Sequence, residues 1–165
     1  MTSPPMTSLH AEQVRAQKMA DAHAVGINDA LIARLVEAFY TTIRKDDLLG
    51  PIFAAHVSQW PPHLARLEDF WASITMDSGR FHGNPMAKHI AIGTLQQAHF
   101  DRWLMLWNKT IAKIVPNEAA ADIFRAAAAR IARSLFAGIE LKRGGLDAIM
   151  ATRDKAAQNK AQTHG

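Results

Sequence analysis

The sequence predicts an all-α fold, and three observations predict it. Apolar residues recur at spacings of three and four through most of the chain. Alternating β-branched runs and Asn-Gly or Asp-Gly hairpin turns are missing. Glycine and proline mark the breaks between periodic segments, as at Gly50-Pro51 and in the linker SGRFHGNPM.

The elements follow in order. Residues 1–25 read as a weak helix or an ordered extension. After Gly26 a helix opens at Asn28 or Asp29, either of which can cap it, and Leu31, Leu35, Val36, Phe39 and Tyr40 recur at helical spacing. It ends near Arg44 and Lys45, cations that suit a helix C-terminus. The stretch DDLLGPIFAAHVS reads as a loop. From Trp60 a second helix begins, with Pro61 and Pro62 in the first turn, where proline is tolerated. His63, Leu67, Trp71 and Ile74 share one face of it. A short helix follows at residues 87–90. A long one spans about residues 96–114, with Phe100, Trp103, Leu104, Trp107 and Ile111 inward. The last spans about residues 117–142, with Ile123, Phe124, Ile131, Leu135 and Ile139 inward, and Gly144-Gly145 are expected to end it in the left-handed conformation. This gives one domain at residues 26–145, an extension at 1–25 and a basic tail at 146–165.

Composition narrows the function. At 165 residues, 48% hydrophobic and 21% charged, the chain is the size of one ordinary globular domain. No apolar run approaches the roughly 20 residues that span a bilayer. The opening MTSPPMTSLHAEQ has no secretory pattern, so a cytoplasmic home and no membrane association are expected. The absence of cysteine excludes disulfides, thiolate metal sites and cysteine nucleophiles. The formal charge is +4, but five bases against two acids from Lys142 onward put most of the excess in the tail. No patterned basic face remains, which argues against a nucleic-acid partner.

Eight histidines invite a metal reading. HExxH is absent, and so is the Glu-x-x-His pairing of di-iron bundles. Zinc would need three or four scattered histidines, whereas haem needs one. Taken singly, His89, His63, Tyr40 and Trp103 each have a plain alternative: a half-buried histidine, a helix-end histidine stacked on aromatics, a tyrosine bonded to a carbonyl, a core tryptophan.

Their order says more. Phe39-Tyr40, then Leu49-Gly50-Pro51-Ile52-Phe53, Trp60-Pro-Pro-His63, Asp69-Phe70-Trp71, Gly83-Asn84-Pro85-Met86-Ala87-Lys88-His89 and His99-Phe100-Asp101-Arg102-Trp103-Leu104 form an ordered set. That set resembles the group III truncated haemoglobins over residues 29–138, about two thirds of the chain. The resemblance implies a two-on-two helical sandwich around haem b, here with an N-terminal helical extension and a long final helix. It implies His89 as the iron ligand, with its second ring nitrogen donating to a carbonyl. Phe53 would pack on the porphyrin, and Tyr40, His63 and Trp103 would form the distal pocket. Leu67 would lie over the haem face, with Ile92, Phe100 and Leu104 as further haem contacts. Lys88 and Arg80 are near enough in sequence to meet the propionates. His82 could rival His89, and His63 could itself reach the iron.

The implied function is binding of O2, CO or NO at ferrous iron, with NO detoxification open to it. That chemistry needs an external reductase, since the chain has no flavin or nicotinamide fingerprint. Two alternatives stay open: peroxidase-like chemistry on peroxide with His63 as acid–base, and a haem-based redox or gas sensor. A monomer is the default.

Overall fold

The computed structural model describes residues 5–162. Its helices are α1 (Met6–Ala24), α2 (Asp29–Lys45), α3 (Gly50–His56), α4 (Trp60–Met76), α5 (Pro85–Ile92), α6 (Gln97–Ile114) and α7 (Glu118–Gln162). No strand occurs among the described residues.

Short polar side chains set the helix starts. Asn28 Oδ1 accepts the Leu31 N–H at 2.8 Å and opens α2, as its position predicts. Asn117 Oδ1 accepts the Ala120 N–H at 3.0 Å ahead of α7. Trp60 opens α4 with two prolines in its first turn. The helices then pair by their apolar faces. α2 packs on α4 and α6 on α7, and the layers meet through α2–α6 and α4–α7 contacts. This is the expected two-on-two sandwich. α1 docks on α4, α3 on α2 and α5 on α7.

The core falls into two clusters. The larger holds Leu35, Phe39, Tyr40, Trp71, Trp107, Ile111 and Phe124. The smaller, under α5 and the middle of α7, holds Leu95, Phe100, Ala132, Leu135 and Ile139. Leu104 and Ile131 pack against both.

Four expectations are corrected. The stretch read as a loop contains α3, which starts with Pro51 in its first turn; its seven residues are too few to show a period. α7 does not stop at Lys142 but runs to Gln162, through Gly144 and Gly145. Neither glycine has positive φ, whereas Gly93, which ends α5, has φ 74°. Ile123, read as inward, is 40% exposed, because the buried stripe of α7 passes through Ala120, Ala121, Phe124, Ala127 and Ala128 instead. The helix expected at residues 87–90 is α5, twice that length, since Asn84 caps it and Pro85 is its first residue.

Candidate functional site

α5 carries His89, and local chemistry fixes the ring. Asn84 Oδ1 accepts the Ala87 N–H at 3.1 Å and Pro85 occupies the first turn. One turn on, His89 Nδ1 lies 2.6 Å from the Pro85 carbonyl oxygen. A carbonyl only accepts, so Nδ1 carries the hydrogen and Nε2 of the neutral ring keeps its lone pair. Burial holds the His89 pKa below its ordinary value, against the opposing pull of the Pro85 hydrogen bond. The group is therefore a neutral nitrogen donor with a fixed tautomer, the form that metal-binding histidines take.

A second group forms from α2, α3, α4 and α6. Tyr40 is 4% exposed. Its ring meets Phe39 at 4.9 Å, Phe53 at 5.7 Å and His63 at 6.1 Å, all edge-on. Burial raises the phenol pKa far above its ordinary value, while a hydrogen bond with the Trp103 side chain acts the other way. Tyr40 thus stays an O–H donor. Trp103 stands edge-on to Phe39 at 5.6 Å and parallel to Trp107 at 5.9 Å. Trp107 stacks in turn on Trp71 at 4.4 Å and donates from Nε1 to the Phe124 carbonyl at 3.2 Å. The Trp103 ring is thereby aligned by a buried ladder.

His63 has the least satisfied polar group of the set. Its Nε2 is buried with no hydrogen-bond partner. Burial lowers its pKa, helped by the positive charges of Arg66 and Lys88. Its ring packs edge-on against Trp60 at 5.5 Å, and Trp60 lies nearly parallel to Phe53 at 6.2 Å.

The remaining candidates divide between the clusters. Leu67 and Phe53 pack on the larger one. Ile92 and Phe100 belong to the smaller, where Phe100 meets Phe136 at 5.5 Å. Leu104 touches both. Tyr40 and Phe100 are buried, but Phe53, His63, Leu67, His89, Ile92, Trp103 and Leu104 all stay half-buried. Large apolar side chains left half open on two adjoining clusters suit a flat apolar group that would cover them. An orphaned imidazole nitrogen and a neutral, oriented imidazole suit one that carries a metal. The residues present fit haem.

Of the other candidates, His82 is exposed on the linker. Arg80 holds Asp29 at 2.6 Å and reaches Asp69 at 3.8 Å, so carboxylates of the protein occupy its guanidinium. Lys88 is exposed beside His89. Sequence reasoning missed Trp60 and Pro85 as site residues. Both had a signal: Trp60 begins the motif that ends in His63, and Pro85 stands four residues before His89, where its carbonyl is within reach.

No family profile matches the chain. It is similar to the group 3 truncated hemoglobin of Campylobacter jejuni, with 36% identity over 123 residues that cover 72% of this chain and 95% of the relative. It is also similar to the crystal structure of a group III truncated hemoglobin from Campylobacter jejuni. That likeness has a TM-score of 0.62 at 34% identity, and covers 66% of this chain and 88% of the other.

Proposed function

Because the chain belongs to the group III truncated haemoglobins, a family of haem globins that bind small ligands, we propose that it holds haem b through His89 Nε2 and binds O2, CO or NO. The observation that carries this is the 2.6 Å contact between His89 Nδ1 and the Pro85 carbonyl, which leaves Nε2 unprotonated. Haem, when bound, supplies a ferrous centre with a free coordination position for a diatomic ligand.

The protein's own groups then do three things. Phe53, Leu67, Ile92, Phe100 and Leu104 cover the apolar macrocycle. Tyr40, kept protonated by burial, and Trp103, aligned by the Trp107–Trp71 stack, supply O–H and N–H donors that favour a ligand carrying partial negative charge. His63 supplies a neutral imidazole with an unfilled Nε2. In NO detoxification, O2, NO and an electron give nitrate. The electron comes from an external reductase, and the protein works as a cytoplasmic monomer. No described helix is long and apolar enough to cross a membrane.

The test is an absorption spectrum of the haem-loaded protein, oxidised, reduced and reduced with CO, beside His89→Ala. A sharp Soret band that shifts with CO and is lost or strongly altered in the variant is expected. No stoichiometric haem uptake, or uptake and spectra indifferent to His89→Ala, would overturn the reading.

One observation favours a second reading. The neutral His63, half-buried but with its Nε2 enclosed and unpartnered, is placed to accept and return a proton, which peroxidase-like chemistry on hydrogen peroxide requires. That reading expects His63→Ala to lower peroxide turnover about a hundredfold with CO binding retained. Unchanged turnover would eliminate it.

A further inference from the structure

α5 is a weakly anchored helix in an important place. It is eight residues long and buries no side chain completely. Its principal helical partner is α7. Near its N-terminal end, Met86 lies over Gly138, where a Cβ would collide with the thioether. At its C-terminal end, a residue far along α7 reaches back: Arg143 Nη2 lies 3.1 Å from the Gly93 carbonyl oxygen and 2.5 Å from that of Leu95.

The geometry points to Arg143 as a positioning residue, whose guanidinium clasps the turn after α5 and so fixes the helix that carries His89 against α7. The functional meaning rests on the proposed role of His89; the clasp itself does not. Nη2 has two hydrogens, one for each carbonyl, and the guanidinium is charged at every relevant pH. The carbonyls at a helix C-terminus bear partial negative charge, which suits a cation there. Gly93 ends α5 in the left-handed region at φ 74°, and Leu95 is 6% exposed within the smaller cluster. The clasp therefore ties the turn after α5 to a buried anchor. His89 lies one helical turn before Gly93, so movement of the turn moves the imidazole.

This gives a task to one cation of the basic stretch that begins at Lys142. Arg143 lies near the end of the 26–145 domain, among the five bases found from Lys142 onward.

Hydrogen exchange read by mass spectrometry tests the clasp in the haem-loaded full chain, with resonance Raman of the ferrous iron–histidine stretch as the second readout. Arg143→Leu is compared with Arg143→Lys and with Arg153→Leu, a cation farther along the tail. Arg143→Leu is expected to speed exchange at residues 89–96 about tenfold, leaving α2 and α4 unchanged, and to shift or broaden the iron–histidine band. Arg143→Lys keeps a cationic donor and should restore most of the protection, while Arg153→Leu should behave as the parent. Unchanged exchange at residues 89–96, a uniform rise across the chain, or the same effect from Arg153→Leu would each overturn the clasp. A local rise in exchange with no iron–histidine band to follow would uphold the clasp and count instead against His89 as the ligand.

Discussion

Asp46 shows how much one side chain can join. It sits between α2 and α3 with its side chain 8% exposed. Its Oδ2 accepts the Leu48 and Leu49 N–H groups at 3.1 and 2.9 Å, and its Oδ1 accepts Arg102 Nη1 of α6 at 2.9 Å. Burial alone would raise the carboxyl pKa, but the hydrogen bonds from Leu49 and Leu48 and the Arg102 charge outweigh it, leaving the pKa below its ordinary 3.8. A pKa depressed by folding gives stability that is present above 3.8 and lost as pH falls through the lower folded value. Asp46→Ala should therefore cost about 2 kcal/mol at neutral pH, measured by urea denaturation. The gap from the parent should close as pH falls from 3.8 through the lower folded value. An equal gap at neutral and acid pH would show that the charge is not what Asp46 contributes. Nothing local in the sequence foretells this pair, because Arg102 stands 56 residues away and charged residues carry no periodic mark. The setting of His89 is local by contrast: its cap, its proline and its backbone acceptor all lie within five residues before it, inside the Gly83–His89 motif that singled it out.

At the scale of elements, long amphipathic helices were legible and exceptions came where local signals competed. α2, α4 and α6 have both a cap or proline at the start and a clear apolar stripe, and their bounds lie within a residue or so of expectation. In α3, Gly50-Pro51 was read as punctuation, yet the pair forms the first turn of the helix, and Gly50 is required because a Cβ there would approach the Arg44 carbonyl oxygen to 2.9 Å. In α7, two glycines cost about 1 kcal/mol each relative to alanine, but propagation adds a hydrogen bond per residue and good helix formers flank them. Continuation wins. Gly138 then becomes the sensitive point of α7, because Met86 of α5 occupies the space beside it. Gly138→Ala should push Met86 aside and loosen α5, although alanine favours the helix itself. Haem release to an excess acceptor globin should speed up about tenfold while far-ultraviolet circular dichroism is unchanged. Unaltered release would mean that the flexible thioether simply turns away.

For the whole molecule, the decisive feature is a core in two unequal parts. The larger cluster has an aromatic ladder through Trp103, Trp107 and Trp71 and closes on itself. The smaller has five buried side chains, and Leu104 and Ile131 are what it shares with the larger. Tyr40, His63 and Trp103, the proposed distal residues, stand with the first cluster, whereas α5 stands with the second through Met86, Ile90 and Ile92. A haem held between them would bury apolar surface on both, and so would join two bodies that otherwise meet at a narrow seam. Haem removal is thus expected to act unevenly. Amides of α5 and of the middle of α7 should exchange about a hundredfold faster in the apoprotein, while those of α2, α4 and the later half of α6 stay within about threefold. Hydrogen exchange on matched apo and haem-loaded samples reads this directly. Uniform loss of protection would mean that the clusters unfold as one unit. The order of motifs could reveal the family, but not this division, because it depends on which apolar residues meet across the fold rather than on their spacing along it.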